Sequence, residues 1–430
     1  MQFGYLKGLL SGYGFAGLNI VVQVTLVPLY LRHLGQAQFG ILMMLLAYIN
    51  YASVGVNWLT GGLLRILGSD HAGNQLEAFS RAFRLGRYVY VGYAVLLGLV
   101  LLVLAGINPE LLFGHSSQPR ELLWWAVFAA VIYLVLFYEL TIERVALMAV
   151  GTQHWAYLLQ MAAIVLYALG AIVILKVGGN VISLMIMLSA ASLVTRLWTR
   201  QIWSSMVFAP VRAIPVGFDY GRALLKQFFG RRGMGFFIYG GILLTMQADV
   251  LFLGWLGGAE TAAQYVMVWK AAEVAVLMLW RIPETLIPDL IKADVAGDKE
   301  RLSTAYWMAW RWTLGLGALA GLCYGLLGGK IVALWLGNGA VMAGPHAFEL
   351  AGFALFILTS TRPPAVYSYA TCHFRALLPV AGFELLVKLI VLFALFPTFG
   401  YLSPMMGLIV ANVAGAYIMY MRMSPKRALA

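Results

Sequence analysis

Lys270, Glu273, Arg281 and Glu284 lie in YVMVWKAAEVAVLMLWRIPETLIPDL, a stretch from Tyr265 to Leu290 otherwise made mostly of Val, Met, Leu, Trp and Ala. Each cation is followed three residues later by an acid, and the two cations are eleven residues apart. Eleven residues are close to three helical turns, so Lys270 and Arg281 share a face about 16 Å apart along the axis. A charge near the centre of a membrane helix costs about 2.5–3.5 kcal/mol, while an i,i+3 pair returns only about 0.2–0.5 kcal/mol when solvated. Two readings are open: the pairs neutralise themselves at a protein interface, or the helix borders a water-filled cavity and offers a ladder of cations to an anion. The spacing favours the second. Trp280, Pro283 and Pro288 predict that the helix bends towards the cytoplasm at this end, so Arg281 also reads as a boundary residue.

Other charges interrupt apolar runs. Asp249, in QADVLFLG, is the only acid of its span and calls for a partner, such as Lys270 or another cation, or for a coupling ion. Arg65 ends a span in GGLLRILG and reads as a snorkelling side chain. Arg362 precedes Pro363 and Pro364 in TSTRPPAVY, where irregular backbone would be tolerated against a cavity. Glu384 and Lys388 make an i,i+4 couple, and His154 and His346 lie near span ends as interfacial histidines. HxxxH, GxxxxGK[ST] and GxSxG are absent, so active transport would draw on an ion gradient or on the substrate's own gradient.

These charges are rare in a chain of 430 residues that is 62% hydrophobic and 11% charged, well outside the soluble range. Charge-free windows cover 8–31, 34–64, 88–109, 122–138, 145–175, 177–195, 233–248, 312–329 and 389–421. Some hold two spans, and regions near 250–259, 262–284, 341–368 and 377–396 complete the set around an internal charge. The expected fold is an all-α polytopic membrane protein of about twelve transmembrane helices. The first span lacks a small-x-small cleavage pattern, so a removable signal peptide is not expected. Cys323 and Cys372 offer no disulfide framework.

The net charge of +12 follows topology. Nineteen cations, among them Arg81, Arg84, Arg87, Arg144, Arg196 and Arg200, fall on one set of connections, whereas the other set holds Arg32, Arg120, Lys176 and Lys330. By the positive-inside rule both termini are cytoplasmic. Basic residues scattered over short loops form no nucleic-acid stripe.

The halves repeat. LYLRHLG from Leu29 returns as LFLGWLG from Leu251, a displacement of 222, and AGNQLEAF from Ala72 returns as AGDKERLS from Ala296, a displacement of 224. Asn74 and Asp298 are expected to cap the helices that follow. The predicted organisation is an N-terminal lobe over 1–210, a cytoplasmic linker over 211–228 and a C-terminal lobe over 229–430. Six helices each place the lobes in the same orientation, about a pseudo-two-fold along the membrane normal. The N-terminal half lacks a counterpart to the charge set: Asp249 maps near Val27 and Lys270 near Leu46. Outer connections near 109–121 and 329–341 are too short for an external catalytic domain, so an enzyme is not expected.

Four stretches, GFAGLNIVVQVTLVPLYLRHLGQAQFGI, GLLRILGSDHAGN, ADVLFLGWLGG and WRIPETLIPDLIKADVAGD, together resemble the Wzx-type polysaccharide flippases of the multidrug, oligosaccharidyl-lipid and polysaccharide (MOP) exporter superfamily. The resemblance spans most of the chain. It implies two six-helix lobes in a bacterial inner membrane and a substrate of undecaprenyl-diphosphate-linked oligosaccharide, of O-antigen or exopolysaccharide type. It implies transfer to the outer leaflet without a cofactor, an H+ or Na+ coupling ion, a monomer, and polymerase or assembly proteins as partners. Carried over, the cationic role falls on Lys270 and Arg281 with Arg65 and Arg362 in support, and ion coupling on Asp249, Glu273 and Glu384. The first helix departs from the peptidoglycan-precursor flippase of that superfamily, offering Asn19 and Gln23 where that flippase carries arginines. The N-terminal half also shows no acidic cluster of the kind expected of a cation or drug antiporter. That antiporter and a membrane enzyme of glycan polymerisation or ligation are the alternatives.

Overall fold

The computed structural model describes residues 2–206, 234–337, 344, 346–371 and 374–423. The expected linker at 211–228, and Cys372, lie outside the described residues. Among the described residues the chain is helical throughout: α1 Gln2–Ala72, α2 Leu76–Ile107, α3 Glu110–Phe113, α4 Arg120–Ala149, α5 Gln153–Lys176, α6 Val181–Met206, α7 Met234–Glu284, α8 Ile287–Ala296, α9 Lys299–Leu336, α10 Ala347–Ala370, α11 Phe374–Phe399 and α12 Ser403–Met423. A 3-10 turn, Gly400–Leu402, separates the last two.

Eight stretches are long and apolar enough to cross a membrane, and this is a multi-pass membrane protein. Helix α1 would be about 105 Å long if straight, over three times a hydrocarbon core of about 30 Å. It is broken at Gly35 (φ 72°, ψ 172°), as α7 is at Gly258 (φ 82°, ψ 172°). That backbone region is essentially closed to residues with a Cβ. Each break leaves two arms long enough for a span. Counting the arms separately, with α2, α4, α5, α6, α9, α10, α11 and α12, gives the expected twelve membrane-length segments among the described residues.

The breaks refine the repeat. They lie 223 residues apart (35 to 258), as do the helix-capping positions (75 to 298) and the first residues of α2 and α9 (76 to 299). At that displacement Asp298 matches Gln75, not Asn74. Asp298 Oδ1 accepts from the Arg301 backbone N–H at 3.0 Å, as expected. No side chain caps α2 at Gln75, and Asn74 instead adopts a left-handed φ of 53°. It thus takes the part of Gly297 (φ 69°), which closes α8.

The chain divides into two compact units, Met1–Phe236 and Phe237–Ala430, each holding six of the twelve segments. In the first, α1 packs on α2, α4 and α5, and α4 also packs on α2 and α6. In the second, α9 lies along α10, and α12 packs on α10 and α11. Small residues permit the α9–α10 approach, since a Cβ at Gly352 would collide with the Gly321 carbonyl. Large aliphatic side chains such as Leu96, Val103, Leu169, Leu322, Leu326 and Leu334 are exposed, as a hydrocarbon surrounding requires. Helix α9 continues to Leu336, so the second outer connection starts later than expected, at 337.

A Cβ added at Gly35 or at Gly17 would meet no atom within 4 Å, but only Gly35 has positive φ. Gly35→Ala is expected to cost about 1–3 kcal/mol in backbone strain, whereas Gly17→Ala, inside regular helix, costs none. Thermal melting of the two purified variants checks this.

Candidate functional site

The C-terminal arm of α7 carries the charges singled out above. Lys270 Nζ donates to Glu273 Oε2 at 2.9 Å, so this pair is satisfied along its own helix. The second pair is not self-contained. Glu284 accepts from Arg281 Nη1 on Oε2 at 3.1 Å and from Arg362 Nη2 of α10 on Oε1 at 2.5 Å. One carboxylate thereby holds two guanidinium groups, a net positive cluster. Arg362 is 12% exposed and its guanidinium stacks 4.3 Å over the Trp280 ring. Trp280 is itself fixed by Nε1 donation to the Leu358 carbonyl at 3.1 Å. Arg281 is 59% exposed, as a boundary residue would be.

Proline shapes both elements. Pro283 ends α7 one residue before its terminus, a turn follows at 285–286, and Pro288 opens α8, so the predicted bend is present. The irregular backbone expected at Arg362 is not: α10 runs through Pro363 and Pro364 as helix. The prolines leave the Thr359 and Ser360 carbonyls without their usual donors, yet neighbouring turns hold the helical path.

Asp249 finds its partner on another helix. Lys388 Nζ of α11 lies 2.6 Å from Asp249 Oδ1, and Tyr265 donates its hydroxyl to Oδ2 at 2.7 Å across the Gly258 break. Lys388 is therefore neither a surface residue nor committed to Glu384, as the i,i+4 spacing suggested; sharing α11 does not outweigh the need of a buried carboxylate for a counter-charge. Glu384 is buried too, with Oε1 lacking a hydrogen-bond partner among the described residues. It packs where Gly415 of α12 leaves room. Arg65 is exposed on α1, in the other unit.

The N-terminal unit holds a charge cluster that sequence reasoning missed. Glu139 of α4 is buried and accepts from both Arg87 of α2 and Arg196 of α6. One turn on, Glu143 has Arg200 Nε at 4.0 Å. The expectation of no acidic cluster in this half is thus corrected, although three arginines offset the two acids. Those arginines counted as inner-loop cations because their partners are more than 50 residues away. A signal was present: Glu139 and Glu143 are four apart in LFYELTIERV, and so are Arg196 and Arg200. Matching i,i+4 pairs of opposite sign build a two-rung ladder between adjacent helices.

This architecture has counterparts among solved structures. The chain superimposes on an inward-facing multidrug resistance MATE family transporter of the MOP superfamily with a TM-score of 0.73 and 15% identity, over 96% of each chain. It matches the lipid II flippase MurJ in an inward closed conformation at 0.67 and 14%, over 97% of this chain and 87% of that one. A MOP superfamily transporter from Pyrococcus furiosus, described by the reverse polarity of its binding pocket, matches at 0.55 and 16%, over 98% and 94%. No family model and no curated protein matches the sequence. The fold is thus one shared with MOP-superfamily transporters of known structure, a multidrug resistance MATE family transporter and a lipid II flippase among them.

Replacing Glu139 with Gln leaves Arg196 largely buried without its counter-charge, and an expected loss of about 3–5 kcal/mol follows. Arg200→Ala removes a half-exposed partner at 4.0 Å and is expected to cost under about 1 kcal/mol. Denaturation of the two variants side by side measures the difference.

Proposed function

We propose that this protein is a flippase that carries an undecaprenyl-diphosphate-linked oligosaccharide, an O-antigen or exopolysaccharide repeat unit, from the cytoplasmic to the periplasmic leaflet of a bacterial inner membrane by alternating access. The observation that carries this reading is the convergence of Arg281 and Arg362 on the Glu284 carboxylate. Guanidinium forks match phosphate oxygens as well as carboxylate oxygens, and each arginine keeps further N–H groups to offer a diphosphate. Stacking on Trp280 pre-orients Arg362, which lowers the ordering cost of binding. Lys270 on α7, paired with Glu273, and Arg65, exposed on α1 of the other unit, are the further cations of this reading. The likeness in fold to a lipid flippase is compatible with this cargo.

The reading includes coupling to H+ or Na+, with Asp249, Glu273 and Glu384 as the acids concerned, and a monomer that hands its cargo to polymerase or assembly proteins in the periplasmic leaflet. No cofactor, metal or nucleic acid enters it. A second reading, a cation or drug antiporter, draws on the likeness to MATE transporters. An organic cation favours an acidic, aromatic pocket, whereas Glu139, Glu143 and Glu284 are all engaged by arginines.

Flipping is read directly in vesicles reconstituted with the protein and a lipid-linked oligosaccharide, by the substrate that becomes accessible on the opposite leaflet. Arg362→Ala and Arg281→Ala are each expected to reduce the rate roughly tenfold or more, in line with loss of one charge-assisted hydrogen bond of about 1.5–3 kcal/mol. Undiminished transfer, or undiminished surface glycan in a host that depends on the protein, would sink the assignment. Covalently altered substrate would instead indicate a membrane enzyme.

A further inference from the structure

Asp249 and Lys388 are the most deeply buried pair of opposite charges among the described residues, at 1% and 2% exposure. They come from different helices, α7 and α11, 139 positions apart in sequence. The 2.6 Å contact of Nζ with Oδ1 is ionic and lacks the alignment of a hydrogen bond, and Oδ2 is taken by Tyr265. The Lys388 stem is held from behind: a Cβ at Gly407 of α12 would stand 2.7 Å from the Lys388 carbonyl oxygen and 3.3 Å from its Cγ. The chain therefore spends close helix packing on placing an ammonium against this carboxylate.

We infer that Lys388 is the resident cation of Asp249: its ammonium occupies the position a free metal cation would take, so that Asp249 does not bind the coupling ion. A hard monovalent or divalent ion needs several oxygen ligands. Here one carboxylate oxygen faces a positive charge and the other accepts a phenol proton. A second cation beside the Lys388 ammonium meets like-charge repulsion in a region of low dielectric. The lysine also carries a property that a diffusible ion lacks: it cannot be exchanged with the medium, so the charge balance of the buried carboxylate does not follow the sodium concentration on either side. This concerns only the coupling part of the flippase reading, and it removes Asp249 from the ion-coupling candidates of that reading.

The test is thermal melting of the full-length protein in detergent with sodium, choline or methylammonium chloride at equal ionic strength. The wild type is expected to melt at one temperature in all three salts. Lys388→Ala is expected to lose several degrees in choline and to recover part of the loss in sodium or methylammonium, either of which can enter the vacated position. The double variant Asp249→Asn/Lys388→Ala should melt above Lys388→Ala in choline and show no preference among the salts. A wild-type melting temperature that rises in sodium and loses the rise in Asp249→Asn would overturn the inference, as would a Lys388→Ala protein indifferent to all three salts. Should Lys388→Ala yield no folded protein, the yield of the double variant decides: recovery supports the tethered cation, and no recovery overturns it. Melting requires no substrate, so a failure of this result leaves the cargo assignment standing, and a failure of flipping leaves this result standing.

Discussion

A charged side chain inside a hydrocarbon slab either meets an opposite charge or carries a penalty of several kcal/mol, and α4, α7, α10 and α11 are built around that constraint. Glu139 draws arginines from α2 and α6, Asp249 draws Lys388 from α11, and Glu284 ties α7 to α10 through Arg362. In each case the pair joins helices that the apolar pattern alone would let slide or rotate. Hydrophobic residues give little preference among helix faces in lipid, because tails are as apolar as leucine. The ion pairs supply the missing register. Removal of one partner is accordingly expected to matter more for these pairs than for Lys270–Glu273, whose partners share one helix.

The same constraint determines how much could be read from the chain. Spans were visible because the cost of charge keeps the windows clean, and the duplicated plan was visible because LYLRHLG ends on the α1 break and LFLGWLG one residue before the α7 break. Buried charges were visible individually for the same reason. Their partners were not. Asp249 with Lys388, or Glu139 with Arg196, is a relation between helices whose faces only packing aligns, and no local spacing encodes it apart from the matched pairs on α4 and α6. Local pattern also misled, at α11 and at the start of α2 as it did at the prolines of α10. It paired Glu384 with Lys388 on the strength of four-residue spacing, and it placed a cap on Asn74 because the sequence match was one residue out of step with the backbone.

The two clusters of the C-terminal unit differ in kind. Around Glu284 the arginines outnumber the acid, Arg281 is largely open, and the guanidinium groups retain donors, all of which suits a site that receives something. Around Asp249 the charges balance, the exposure is almost nil, and both carboxylate oxygens are occupied, which suits a site that is finished. Burial and charge excess, more than residue type, distinguish the two clusters. Both kinds occur within one fold, shared with a multidrug resistance transporter and a lipid II flippase.

Gly35 and Gly258 adopt nearly the same backbone angles at equivalent places in the two halves, and similar residues lead into them, yet the buried acid near the second break is not shared. At the displacement of the breaks, position 26 is leucine where 249 is aspartate. The crease of the hairpin is therefore common to the two halves, whereas the acid nine residues before the second crease, with its lysine, belongs to one of them alone. Charge is thus laid over a shared crease of the backbone, and laid differently in each half: as Asp249 with Lys388 in one and as Glu139 with its two arginines in the other.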